Sequence, residues 1–143
     1  GGGAPVEVFA GMARQHGVED QVKFAGHRED VPEVLRALDV LCIPSVKHEG
    51  VPQIGLQALA CGTAVVGSDC GGIPEIIQEG ITGRIAPAGD ASALAARIAE
   101  TLTQKEATAR MCRAGREMVE KKHSLDFMLD RLEEIYSSRH HGL

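Results

Sequence analysis

A carboxylate, Glu49, and a glycine, Gly50, stand directly before the predicted start of a helix at Pro52. The first main-chain N–H groups of a helix have no acceptor within the helix, and together with the helix dipole they favour an anion. Gly50 lets an anion approach closely, and Val51 and Gln53 can donate main-chain N–H groups, whereas Pro52 cannot. These residues therefore predict an anion site.

Glu49 is a poor partner for a phosphate, because two negative charges repel each other, and it is better suited to bind hydroxyl groups. A sugar attached to a phosphate meets both requirements. Gln57 lies two turns beyond Gly50 on the same helix face, so its amide can bind a further hydroxyl. The spacing alone leaves a simpler interpretation open, in which Glu49 only caps the helix and Gln57 is a surface residue.

A second cluster follows a later strand and combines Asp69, the paired glycines Gly71 and Gly72, and Glu75. Paired glycines at a helix start suit the close approach of a ligand or of a facing backbone. The alternative is a tight turn with Asp69 as the helix cap, and Glu75 is the weaker site candidate of the four.

Short β-rich runs alternate with amphipathic stretches, which predicts a parallel sheet covered by helices, an α/β fold. The sequence predicts strands at 22–26, 40–44, 64–68 and 83–87, and helices at 31–38, 52–60, 71–77, 90–102, 105–122 and 125–138. In an open parallel sheet, ligands bind beyond the carboxyl ends of the strands. Both clusters are expected at that edge.

The composition limits the function classes. The chain has 143 residues, 43% hydrophobic and 24% charged, which predicts one globular domain over residues 1–143. A net charge of −5 and 3% aromatic residues without Trp argue against a nucleic-acid partner. Four cysteines without metal or redox spacing are expected to be reduced, in the cytosol. No run is long enough for a membrane helix.

The histidines do not predict a metal site. Only His27 and His48 lie in loops facing the expected cleft, and neither has a second ligand at metal spacing. His27 follows a turn at Gly26 and can contact a base or a diphosphate through its backbone. The alternative is an exposed loop histidine.

Several motifs then occur in a familiar order, and together they are specific. The sequence resembles the family 4 retaining glycosyltransferases. The resemblance rests on the segments 22–26, 41–45, 49–52, 58–66, 71–75, 80–83, 89–90 and 132–136. It implies a Rossmann-like parallel sheet that is the C-terminal, nucleotide-sugar-binding half of a GT-B fold. It also implies transfer of a sugar from a UDP-, GDP- or ADP-linked donor to an acceptor with retained configuration, without an essential metal or other cofactor.

The resemblance also assigns site residues. The family's two glutamates, seven residues apart, correspond to Glu49 and Gln57. The first lies by the donor sugar and is the catalytic candidate, and the second binds the ribose hydroxyls, so Gln57 keeps hydrogen-bonding capacity but loses the charge. The donor sugar and phosphates are assigned to Glu49, Gly50, Val51, Pro52 and Gln53, and the nucleotide to Gln57, Gly26 and His27.

Parts of the family pattern are expected to lie before Gly1. These are the N-terminal acceptor domain, an Arg and a Lys that clamp the diphosphate, and the first two strands of the usual order 3-2-1-4-5-6. The strand at 22–26 would then lack its neighbour, and exposed sheet edges would permit self-association. The isolated chain is expected to bind weakly without turnover, and any membrane association of the parent protein is expected to reside in the missing half.

Two alternatives remain. One is a noncatalytic nucleotide-sugar-binding or scaffold domain of the same fold, in which Gln57 marks decay. The other is a dinucleotide-dependent oxidoreductase, which is disfavoured because no G-x-G-x-x-G follows a predicted strand.

Overall fold

The computed structural model describes residues 5–47 and 49–139, so His48 lies outside the described residues. The chain divides into two compact units, with the boundary between Val31 and Pro32. Each unit is described by itself.

The N-terminal unit contains one helix that the sequence analysis did not predict, α1 (Val6–Gln15), followed by a 3-10 turn at Glu19–Gln21. Pro5 precedes the helix, a position where its missing N–H is not needed. Ala13 is the buried residue of α1, whereas Phe9 is 49% exposed. The spacing of Val6, Phe9 and Ala13 is helical and could have revealed this element.

The predicted strand at residues 22–26 is wrong, because the structure assigns these residues to no strand. A strand needs the N–H and C=O groups of a neighbour, and the described part of this unit, residues 5–31, contains no other strand. Val22 and Phe24 are accordingly 40% and 46% exposed.

The second unit is built on a three-stranded parallel sheet of β1 (Val40–Ile43), β2 (Ala64–Ser68) and β3 (Arg84–Ala86), in the order β1-β2-β3. The strands predicted at 40–44, 64–68 and 83–87 are therefore confirmed. Because the strands are parallel, the loops that follow β1, β2 and β3 all leave from one edge.

Six helices accompany the sheet, and the predicted helices are confirmed with small shifts at their ends. They are α2 (Val31–Ala37), α3 (Gln53–Cys61), α4 (Ile73–Ile76), α5 (Ala91–Thr103), α6 (Lys105–Lys122) and α7 (Leu125–Arg139). The helices α3, α5 and α6 pack against the strands. Gly62, at a φ of 77°, ends α3 in the left-handed conformation that a side chain disfavours. No helix in the described ranges is long and apolar enough to span a membrane.

The core lies around β2, whose five residues are all buried. Such burial is typical of a parallel strand that is covered on both faces. The largest fully buried side chains of this core are Leu35, Leu59, Val65, Val66, Ile73, Ile76 and Ile77. Burial of each such side chain contributes about 1.5–3 kcal/mol, which makes this core the rigid support for the loops at the sheet edge.

The two lateral edges of the sheet differ. On β3, the Ile85 N–H donates to the Glu79 carboxylate at 2.5 Å, and the Ile85 carbonyl accepts from Arg97 Nε at 3.2 Å. On β1, no main-chain or side-chain hydrogen bond reaches Val40–Cys42 from outside the sheet among the described residues. Side chains thus close the β3 edge, and self-association through an exposed sheet edge stays a prediction.

All four cysteines are free thiols. Burial raises the pKa of the Cys42 and Cys112 thiols above the ordinary cysteine value, because it disfavours the charged thiolate. These two side chains therefore behave as small apolar groups.

Candidate functional site

The loop between β1 and α3 carries the first predicted cluster. Pro52 is the N-cap residue of α3, and no side chain caps this helix. Among the described residues, the main-chain N–H groups of Gly50, Val51, Gln53 and Ile54 have no acceptor within the chain. All four residues are exposed, so the start of α3 presents unpaired donors to a ligand, as an anion site requires.

Glu49 lies half-buried beside these donors, and its carboxylate is held on one side. The Ser45 hydroxyl donates to Glu49 Oε2 at 2.5 Å. Among the described residues, no basic side chain forms an ion pair with Glu49, and Oε1 has no partner. The carboxylate therefore keeps one oxygen free to accept a hydroxyl group. Sequence analysis missed Ser45, although a serine four residues before the glutamate, directly after a strand, was the available signal.

The paired glycines of the second cluster lie against the backbone of this loop. Gly72 donates its N–H to the Glu49 carbonyl at 3.1 Å. A Cβ on Gly71 would overlap the same carbonyl oxygen, and one on Gly72 would lie 2.8 Å from the Val51 nitrogen. Of the alternatives left open by the sequence, close approach of a facing backbone is confirmed. The paired glycines of the second cluster therefore pack against the backbone of Glu49, Gly50 and Val51.

Asp69 does not cap α4, so that part of the alternative is wrong, whereas a turn does occur at Gly71 and Gly72. Its Oδ1 accepts the Ala88 N–H at 2.6 Å, and its own N–H donates to the Ala86 carbonyl at 2.9 Å. Gly72, not Asp69, precedes the first residue of α4. Asp69 instead joins the loop after β2 to the loop after β3, which fixes both at the same edge. Glu75 is exposed on α4.

The three predicted nucleotide-binding residues are accessible. Gln57 is exposed on α3, one turn after Gln53, and no described residue hydrogen-bonds its side chain. Gly26 belongs to the N-terminal unit and has a φ of 67°, which confirms the predicted turn. His27 is exposed next to it. The nucleotide contacts of these residues stay predictions.

A cavity of about 220 Å³ lies at the same edge of the sheet, lined by residues that include Pro44, Val46, Ser68 and Leu94. Its lining does not include Glu49 or Gly50. The cavity is mostly apolar. The Ser68 hydroxyl donates a hydrogen bond to the Ile43 carbonyl at 3.2 Å. Gln53, by contrast, lines a second cavity, of about 440 Å³, together with residues of α7.

No group of three or more His, Cys, Asp or Glu side chains with metal-binding geometry occurs within residues 5–47 and 49–139. The candidate site is thus built from main-chain N–H groups, one carboxylate and amide side chains. This set can bind an anion and hydroxyl groups together.

The fold is that of GT-B glycosyltransferases. The chain superposes on the Anabaena protein HepE, solved in complex with UDP, with a TM-score of 0.89, 25% identity, and coverage of 93% of this chain and 36% of HepE. HepE in complex with UDP-glucose gives a TM-score of 0.87 at 25% identity, with the same coverage.

Sequence comparison leads to the same class. Residues 1–118 match the family model of glycosyl transferases group 1. N-acetyl-alpha-D-glucosaminyl L-malate synthase of Bacillus anthracis is 34% identical over 83% of this chain and 31% of its own length. Alpha-maltose-1-phosphate synthase of Mycobacterium tuberculosis is 41% identical over 73% of this chain and 28% of its own.

The chain therefore belongs to the glycosyl transferases group 1 family. It spans about a third of the length of these two curated relatives and of HepE.

Proposed function

We propose that this chain is the donor-binding part of a retaining glycosyltransferase and that the start of α3 binds a nucleoside diphosphate sugar. The observation that carries the proposal is the uncapped start of α3, with four free N–H donors, beside the Glu49 carboxylate. HepE, a solved neighbour of the same fold, was crystallised with UDP and with UDP-glucose. That neighbour supports the choice of ligand class.

Each part of the ligand has a partner in this arrangement. The N–H groups of Gly50, Val51 and Gln53 donate to the diphosphate, and Pro52 sets the direction of the helix start. Glu49 accepts from the sugar hydroxyls and is the catalytic candidate, because it is the carboxylate that lies closest in sequence to the donors. Gln57 is assigned to the nucleotide, and nucleotide contacts of Gly26 and His27 in the N-terminal unit stay a separate prediction.

The proposed reaction breaks the bond between the anomeric carbon and the diphosphate through an oxocarbenium-like state. The acceptor attacks on the same face, so the configuration is retained. Negative charge builds on the leaving diphosphate, and preorganised N–H dipoles at the helix start stabilise it. No metal or other cofactor is required in this proposal. The acceptor domain and additional cations are expected in the part of the family pattern that this chain does not span.

The test is a calorimetric titration of the chain with UDP, GDP and ADP and with their glucose conjugates. We expect preference for one nucleotide, and Glu49→Ala should weaken binding of its sugar conjugate about 10-fold, because a buried or half-buried hydroxyl loses its acceptor. Binding of the free nucleotide should change less than about twofold, since Glu49 faces the sugar. The matched control is Glu106→Ala, an exposed glutamate on α6.

Equal losses for the nucleotide and for its sugar conjugate would contradict the assignment of Glu49 to the sugar. The noncatalytic alternative predicts the same binding but no transfer when the chain is joined to an acceptor-binding domain. In that protein, a large gain of transfer from near zero on Gln57→Glu would favour decay, and turnover by the natural sequence would refute it.

A further inference from the structure

The carboxylate of Glu49 is oriented by one side chain. Ser45 is the second residue after β1, and its hydroxyl donates to Glu49 Oε2 at 2.5 Å. An O–H···O⁻ hydrogen bond of this length is of the strong, charge-assisted kind. The bond joins the second residue after β1 to Glu49, which lies four residues before the first residue of α3.

The backbone of Glu49 is already fixed by the paired glycines, through the Gly72 N–H and the close approach of Gly71. These contacts leave the Glu49 side chain free to rotate. Ordering a glutamate side chain costs more rotamer entropy than ordering most other side chains. Ser45 removes that freedom by holding Oε2, while Oε1 has no partner among the described residues. The bond thus decides which oxygen faces outward.

We propose that Ser45 is a positioning residue for Glu49, holding its carboxylate so that Oε1 meets the hydroxyls of the donor sugar. The inference rests on the proposed function, because it concerns the same site. It adds a determinant of sugar affinity that does not itself touch the ligand. A purely structural role, in which the hydrogen bond only holds the loop after β1 together, is the competing explanation.

The first test needs no ligand. In protein with carbon-13-labelled glutamate, the side-chain carboxyl resonance of Glu49 should shift on Ser45→Ala and return toward its original position on Ser45→Thr. The matched control is Ser68→Ala, which removes the hydroxyl of the serine that ends β2 and donates to the Ile43 carbonyl. An unchanged Glu49 resonance in Ser45→Ala would overturn the proposal.

The second test is a double-mutant cycle, read by titration with UDP-, GDP- and ADP-glucose and the free nucleotides. Ser45→Ala should weaken binding of the preferred sugar conjugate about three- to tenfold and leave the free nucleotide within about twofold. In the Glu49→Ala background, Ser45→Ala should have no further effect, because the group it positions is gone. Ser45→Thr should retain the affinity.

The outcomes separate this inference from the proposed function. If Glu49→Ala weakens sugar binding but Ser45→Ala does not, the positioning role is wrong and the proposed function stands. If Ser45→Ala weakens the free nucleotide equally, or adds fully to Glu49→Ala, the serine has only a structural role. If no probe binds, the proposed function fails for this chain, and the resonance of Glu49 alone decides whether Ser45 orients it.

Discussion

Two helices start at the same edge of the sheet, and their first turns are built differently. The helix α5 follows β3 and is capped by Asp90, whose Oδ1 accepts the Ala93 N–H at 2.9 Å. The helix α3 follows β1, begins after Pro52, and has no side-chain cap. A capping side chain stabilises a helix by about 0.5–2 kcal/mol, and α3 lacks this stabilisation. The start of α5 is therefore closed by its own side chain, whereas the start of α3 leaves its first N–H groups without a side-chain acceptor among the described residues.

The largest effect should come from closing the space behind the α3 loop. In Gly71→Ala, the new Cβ overlaps the Glu49 carbonyl oxygen, and Gly71 has a positive φ of 54°. We expect the free energy of unfolding to fall by about 2–4 kcal/mol and nucleotide-sugar binding to be lost. Chemical denaturation and calorimetry measure the two effects.

Gly80→Ala is the matched control for this change. Gly80 has a φ of 72°, and a Cβ there meets nothing within 4 Å. It should cost about 1–2 kcal/mol from backbone strain alone and leave binding unchanged. If Gly71→Ala behaves like Gly80→Ala in both measurements, the paired glycines do not support the Glu49 loop.

A second prediction gives α3 the cap that α5 has. In Pro52→Asp, the carboxylate can accept a first-turn N–H and places a negative charge where the diphosphate is expected. We expect affinity for the preferred nucleotide to fall by about 10-fold or more, because the anion loses a donor and meets a like charge. Titration measures it, with circular dichroism to show that α3 still forms. Undiminished affinity would mean that the phosphates lie elsewhere.

The reverse change removes the cap of α5. Asp90→Ala should lower the free energy of unfolding by about 1 kcal/mol, the ordinary loss for an N-cap, and leave nucleotide binding within about twofold. Denaturant titration and calorimetry on the same preparation report both. A large loss of binding without a loss of stability would give the start of α5 a ligand role and remove the contrast between the two helices.

The smallest effect is expected one turn further along α3. Gln57→Glu restores a carboxylate at an exposed position with no competing partner among the described residues. If Gln57 faces the ribose hydroxyls, nucleotide affinity should rise about two- to fivefold, because a charged acceptor forms the stronger hydrogen bond. Gln78→Glu, at another exposed glutamine, controls for the added charge. Equal changes in nucleotide affinity in the two variants would show that Gln57 does not contact the nucleotide.

Much of the second unit could be predicted because its signals are local. The strand at 64–68 is fully buried, and its apolar residues Ala64, Val65 and Val66 already indicate it in the sequence. The helix from Lys105 to Lys122 is confirmed at both ends. The segment 22–26 has the same β-rich composition and forms no strand, since pairing depends on a neighbour that composition does not report.

The site was predictable in its residue types but not in its connections. Glu49 and Gly50 before a helix start indicate an anion and hydroxyl site from chain order alone. The contact between Gly71 and the Glu49 carbonyl joins residues from two different loops, and only the folded sheet brings them together. The roles of Asp69 and Ser45 likewise depend on which acceptor or donor lies within reach, which spacing does not fix.

The most direct test of the account is the backbone amide spectrum of the nitrogen-15-labelled chain during titration with UDP-glucose and its GDP and ADP counterparts. The account predicts that the amide signals of Gly50, Val51, Gln53 and Ile54 move most, and that those of Ala91–Ala93 at the start of α5 stay in place. Movement centred on α5, or no movement at α3 with any of these donors, would contradict the claim that the uncapped start of α3 is the donor site.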